Sequence, residues 1–149
     1  MEKALIGAGC FWGIEKFYSE ITGVIDTKVG YSGGNTNNPT YQDVCSGETN
    51  HAEVVLINYD ESIISYEEII KYFWECHDPT QLNQQGHDVG TQYRSVIYYF
   101  NDNQKLIADK SKEECQSTFE KRIVTEISPA DIFYKADEYH QKYIQKSKN

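Results

Sequence analysis

The stretch HAEVVLINY, residues 51–59, limits the possible fold more than any other part of this chain. As a strand it places Glu53, Val55, Ile57 and Tyr59 on one face and Ala52, Val54 and Leu56 on the other. Both faces are largely apolar, so the strand belongs in the middle of a sheet with a covering layer on each side. Glu53 is the exception. A carboxyl near the end of such a strand is at least partly desolvated, which favours its protonated form and suits a general acid near neutral pH. The same position also fits a carboxylate that reaches water or pairs with a basic residue.

The segments around this strand alternate between strand and helix patterns. Residues 3–8 read as a short strand and 11–21 as a helix. In GVIDTKVGY, residues 23–31, Ile25, Val29 and Tyr31 share one strand face, with Asp26 and Lys28 on the other. Ser65 and Glu68 form a capping box, followed by Tyr66, Ile69, Ile70, Phe73 and Trp74 at the spacing of one helical face. SGGNTNNPT (32–40) is a turn-rich loop and HDPTQLNQQGHDVGTQ (77–92) a long polar one. Residues 95–100 read as a strand, 103–120 as a helix and 136–146 as a final short helix. No linker or repeat interrupts the pattern. The expectation is an α+β fold: one domain over residues 1–149, with a mixed, largely antiparallel sheet flanked by helices.

A chain of 149 residues can bury a continuous core without metal or disulfide staples. Its net charge of −9, spread along the sequence, argues against nucleic acid as a partner. No apolar run reaches membrane-spanning length, and MEKALIGAG is too short an apolar stretch for a signal peptide, so a cytoplasmic location is expected. Cys10, Cys45, Cys76 and Cys115 contain no C-x-x-C spacing and are expected to be free thiols. Neither these cysteines nor the scattered histidines show structural-zinc spacing, so no metal is expected.

One of the cysteines has chemically suggestive surroundings. In GAGCFWG, residues 7–13, Cys10 stands at the first turn or cap of a helix, where free N–H groups and the helix dipole lower a thiol's pKa. The commoner fate of a free cysteine is that of a small buried hydrophobe. Phe11, Ile14, Phe17, Tyr18 and Ile21 form the packing sector of this helix, and Trp12 lies opposite it. Trp12 therefore fits either a pocket wall or a ring covered by another loop. In GHDVGTQYRS, residues 86–95, Asp88 and Tyr93 either project into a site or belong to a solvated connector. Tyr41, after Pro39 and Thr40, is equally a site hydroxyl or a turn-packing aromatic.

GCFWG (9–13), HAEVV (51–55), FWECHDPTQLNQQGHDVGTQYRS (73–95) and DEYHQKY (137–143), in this order, resemble the A-type methionine sulfoxide reductases, the peptide-methionine (S)-S-oxide reductases. That resemblance implies a ferredoxin-like core and a role in protein repair under oxidative stress. It implies Cys10 as nucleophile, Glu53 as proton donor, and Tyr41 and Tyr93 as hydroxyl donors to the sulfoxide oxygen. Phe11 and Trp12 are then the apolar walls for the S-methyl group. Asp88 is the acid of the substrate loop, and His140 is a contact to the substrate backbone. Free or protein-bound methionine sulfoxide would be reduced to methionine, leaving a sulfenic acid on Cys10. No bound cofactor is implied, only an external thiol reductant.

Many family members carry resolving cysteines in a C-terminal tail, but the tail after Tyr143 reads IQKSKN. A single-cysteine enzyme is therefore expected, with its sulfenic acid reduced by glutathione, glutaredoxin or thioredoxin. Such members sometimes carry selenocysteine as the nucleophile. Among the remaining thiols, Cys76 follows the packing residues of its helix and Cys115 falls within a later helix, so both are expected to be structural. Cys45, close to Tyr41, is the most plausible internal partner. The competing readings are a cysteine hydrolase using Cys10 with His51, His87 or His140 as base, and a binding module that captures oxidised or apolar peptides.

Overall fold

The computed structural model describes residues 2–147, and its organising element is the strand singled out above. In chain order the elements are β1 (Glu2–Ala8), α1 (Phe11–Ser19), β2 (Val24–Ser32), α2 (Tyr41–Cys45), β3 (Ala52–Tyr59), α3 (Tyr66–Glu75), β4 (Gln84–Gln85) and β5 (Asp88–Val89). They continue with β6 (Ser95–Tyr99), α4 (Asp102–Gln116), β7 (Glu126–Pro129), β8 (Tyr134–Lys135) and α5 (Tyr143–Ser147). β3 lies inside a six-stranded sheet of order β7-β6-β1-β3-β2-β8. All neighbours in this sheet are antiparallel except β6 and β7. Within it, β1-α1-β2-β3-α3-β6 with spatial order β6-β1-β3-β2 is a split βαβ arrangement of ferredoxin-like type.

The two faces of β3 are covered differently. Val55, Ile57 and Tyr59 join the main core with Ile14 and Tyr18 of α1, Ile69, Ile70 and Phe73 of α3, and Ala108 of α4. On the opposite face, Val54 and Ala52 pack with Leu5, Val96 and Tyr98 under Ala130 and Phe133, which are coil. The three longer helices thus share one face of the sheet.

Several boundaries depart from the sequence pattern for local reasons. Ile25 is 55% exposed although it shares strand parity with buried Val29 and Tyr31, because β2 shifts register between Val24 and Asp26. The helix expected over 103–120 ends at Gln116, where Gln116 turns its side chain to Lys121 O and accepts from Ile123 N. Cys115 accordingly lies in the last turn of the helix, next to its end. Residues 136–146 do not form one helix. A 3-10 turn at Glu138–His140 is broken from α5 by Lys142, which adopts φ +55°. The turn-rich loop leads directly into α2, opened by a Thr40–Asp43 capping box, and the long polar loop contains the β4–β5 hairpin. The final residues of the IQKSKN tail, 148 and 149, lie outside the described residues.

Candidate active site

β1 ends at Ala8, and the φ of +99° at Gly9 turns the chain so that Cys10 becomes the N-cap of α1. A side chain at Gly9 would press on Gln85 Cβ and Cγ at 3.0 Å, so this glycine also lets the β4–β5 hairpin close beside Cys10. The helix start is satisfied from a distant strand: Phe11 N donates to Glu53 Oε1 at 3.1 Å. Glu53 is 1% exposed, and its Oε2 has no hydrogen-bond partner among the described residues. Burial pushes its carboxyl up to about 8, against the lowering effect of the Phe11 N–H, and nearby Asp88 raises it further. Glu53 is therefore a neutral acid at pH 7.

The Cys10 thiol moves opposite to the expected direction. The backbone N–H groups of Trp12 and Gly13 do lower it, but burial and the Glu53 carboxylate outweigh them and raise it to about 11. A helix start favours thiolate only while solvent remains and no acid group faces it. Here the thiol is partly buried and Glu53 faces it, and together these outweigh the helix start.

Aromatic rings enclose the remaining sides. Thr40 caps α2 and so fixes Tyr41, whose ring lies 6.3 Å from Phe11, 6.1 Å from Trp12 and 4.4 Å from His140. Burial raises the Tyr41 phenol, and its bond with the Cys45 thiol adds to this. Burial, then the neighbouring Glu53, pushes Tyr93 up to about 12. Both phenols are thus proton-bearing donors at neutral pH. Trp12 Nε1 donates to His140 Nδ1 at 3.2 Å, while burial lowers the His140 pKa. Asp88 is exposed on β5, within electrostatic reach of Cys10, Glu53 and Tyr93. A cleft of about 280 Å³ bordered by Tyr31, Tyr41 and Asp137 opens beside this cluster without including Cys10 or Glu53.

The fold thus brings Cys10, Phe11, Trp12, Tyr41, Glu53, Asp88, Tyr93 and His140 to one end of the sheet. Two aromatic neighbours escaped the sequence reading. Tyr143 stacks on Trp12 at 4.0 Å and 14°, and was present in the DEYHQKY block but not singled out. Tyr31 stands directly across from Glu53 in the β2–β3 register, with its buried hydroxyl unpartnered among the described residues. Only strand pairing could have revealed it.

The four cysteines are unpaired. Cys76 caps the end of α3 and bonds to Phe73 O at 3.3 Å, and Cys115 lies against Thr118. His51 spends both ring nitrogens on backbone, at Gly34 N and Thr36 O, and His87 is exposed. Among the described residues no group of three His, Cys, Asp or Glu side chains is placed to hold a metal, and no helix is long and apolar enough to cross a membrane.

A buried acid that carries its proton at neutral pH serves no purpose in activating a thiol for hydrolysis. It can deliver that proton to an oxygen that leaves its parent atom, as an acid-assisted thiol oxidoreductase requires. Comparison with known proteins makes the class particular. The family model for peptide methionine sulfoxide reductase matches residues 2–149, and the chain belongs to that family. A "Peptide methionine sulfoxide reductase MsrA" of Clostridium perfringens is 52% identical over 149 residues, covering 100% of this chain and 95% of the relative. The reduced form of Mxr1 from Saccharomyces cerevisiae superposes with a TM-score of 0.94 at 38% identity, over 99% of this chain and 86% of that one. Mxr1 in complex with Trx2 matches with a TM-score of 0.69 at 28% identity, over 95% of this chain and 84% of that one. The protein is a methionine sulfoxide reductase of the A type, consistent with protein repair under oxidative stress.

Proposed function

We propose that the chain reduces the S epimer of methionine sulfoxide, free or in proteins, at Cys10. The observation that carries this is the Glu53 carboxyl, anchored by Oε1 to the helix that Cys10 caps and with Oε2 unpartnered among the described residues. Phe11 and Trp12 receive the S-methyl group, and Tyr41 and Tyr93 donate their hydroxyls to the sulfoxide oxygen. Asp88 and His140 border the remainder of the substrate. Methyl pocket and oxygen site together fix the substituents around sulfur, so only one epimer presents its sulfur to Cys10.

The reaction begins with Cys10 as a thiol. As Cys10 Sγ attacks the substrate sulfur, Glu53 and the two phenols offset the charge on oxygen, an oxyanion site built of side chains. The oxygen takes the Glu53 proton and passes to Cys10 as the bond to methionine sulfur breaks. The thiol proton restores Glu53. The products are methionine and the sulfenic acid of Cys10. Two external thiols then return Cys10 to its reduced state, forming a disulfide and water. The Mxr1–Trx2 complex supports a thiol protein as donor; glutathione with glutaredoxin is the other donor proposed. A reducing compartment such as the cytoplasm fits four unpaired cysteines.

Epimer-pure peptide sulfoxides test the reading. Methionine should form from the S epimer only, and Cys10→Ser should abolish it. Full activity of that variant would overturn the assignment. Mass spectrometry after one turnover without reductant should find one added oxygen on Cys10. An intramolecular disulfide, with Cys45 the first place to look, would contradict the single-cysteine route.

A further inference from the structure

We propose that Glu15 is a positioning residue for the methyl pocket, clasping the C-terminal strap so that Tyr143 and His140 hold Trp12 in place; this rests on the function proposed above. Glu15 lies on α1, three residues beyond Trp12, and is fully buried. A carboxylate there is costly unless its oxygens are bonded. They are. Thr27 Oγ1 donates to Oε2 at 2.7 Å, Lys142 N donates to Oε1 at 2.6 Å, and Lys142 Nζ lies 3.6 Å from Oε2.

The backbone bond is the informative one, because it holds Lys142 in the left-handed region that a lysine otherwise disfavours. That turn sets the directions of the residues on either side. Before it, His140 accepts from Trp12 Nε1, and beyond it Tyr143 stacks on the same indole. Lys142 Nζ also donates to Thr27 O at 2.8 Å, and Gln141 bonds Val29 N and O. The strap is therefore docked on β2 but aimed by Glu15. The helix that places the thiol also carries the carboxylate that places the pocket's far wall. An apolar side chain at residue 15 would suit the neighbouring Ile14 and Tyr18 equally well, but it could not hold the turn.

Glu15→Leu removes the clasp. Glu15→Gln keeps it, with the carbonyl accepting from Lys142 N and the amide donating to Thr27 Oγ1. In Glu15→Leu the KM for a peptide S-sulfoxide should rise about tenfold to a hundredfold while kcat stays within about threefold. Glu15→Gln should restore the wild-type KM. Acrylamide quenching of tryptophan emission should increase in Glu15→Leu and not in Glu15→Gln. Trp74 is buried, so the change reports Trp12. Quenching requires no turnover, so it tests the clasp even if the proposed reaction is wrong. Should Glu15→Leu fail to fold, Thr27→Val removes one bond to the carboxylate in a near-isosteric way and should shift KM and quenching in the same direction. A folded Glu15→Leu with unchanged KM and quenching, or a Thr27→Val variant with neither change, overturns the proposal.

Discussion

Ionised Glu53 raises the Cys10 thiol, and burial raises both groups, so the two protons are coupled across the helix start. With its pKa raised to about 11, the Cys10 thiol keeps its proton at pH 7. Alkylation of Cys10 by iodoacetamide should therefore be slow in the free enzyme and accelerate toward pH 11. In Glu53→Gln its midpoint should fall, because one raising influence is gone, yet stay above an ordinary cysteine's because burial remains. A midpoint unchanged by the substitution would separate the two groups. Glu53 also sets a stability trend. Its folded pKa of about 8 exceeds the ordinary 4.5, so between these values the folded state holds a proton that the unfolded state has lost. Stability then falls with rising pH by about 1.4 kcal/mol per pH unit from this group, until it ionises in the folded state near pH 8. Denaturant titrations should show Glu53→Gln gaining on the wild type across this window. Activity of the wild type should decline above about pH 8, when the acid has lost its proton. The desolvation of Glu53 was legible in HAEVVLINY because strand alternation is local. The direction of the Cys10 shift was not, since it depends on a residue 43 positions away arriving at the helix start.

Short elements carry much of the site, and they were the least legible. α2 has five residues, too few for an apolar periodicity, and its Thr40–Asp43 capping box begins at the last residue of a loop rich in Gly and Asn. Yet this cap orients Tyr41. Thr40 Oγ1 accepts from Asp43 N at 3.1 Å, and Asp43 Oδ2 accepts from Thr40 N at 3.0 Å. Thr40→Ala should weaken α2 by about 1 kcal/mol. Because α2 is a single helical turn outside the sheet, anchored to the core by Val44, the melting temperature should fall by only a few degrees. Catalytic efficiency should nevertheless fall about tenfold as Tyr41 loses its orientation. Equal loss in Thr40→Ser, which retains the hydroxyl, would show that the cap is not the cause. By contrast, the Ser65–Glu68 box of α3 was legible because a strongly amphipathic helix follows it. The strap was misread as one helix since its break at Lys142 depends on Glu15, a tertiary partner that helical periodicity cannot report.

At the scale of the molecule, β1, β2, β3 and β6 were recognisable as strands, but their order was not, and β7 and β8 were invisible. Val96 pairs with Glu126 in parallel, and Gly30 pairs with Lys135, so sheet membership is decided by partners far along the chain. The two-sided burial of β3 did announce itself, although not that helices would cover one face and coil the other. That asymmetry bears on stability. The coil-covered face holds a small cluster centred on Leu5, which is fully buried and faces Leu56 and Tyr98 on the flanking strands. If this cluster is a true second core, Leu5→Ala should cost about 2–5 kcal/mol, the same range expected of Ile57→Ala on the helix side. The urea midpoint should drop with the slope unchanged, since the folded state remains the same. Cys10 and its ring of aromatics belong to the helix side, so sulfoxide reduction well below the melting temperature should be kept. A loss within about 0.5 kcal/mol, the range of ordinary surface substitutions, would mean that coil merely shields this face and that the sheet is stabilised from one side alone.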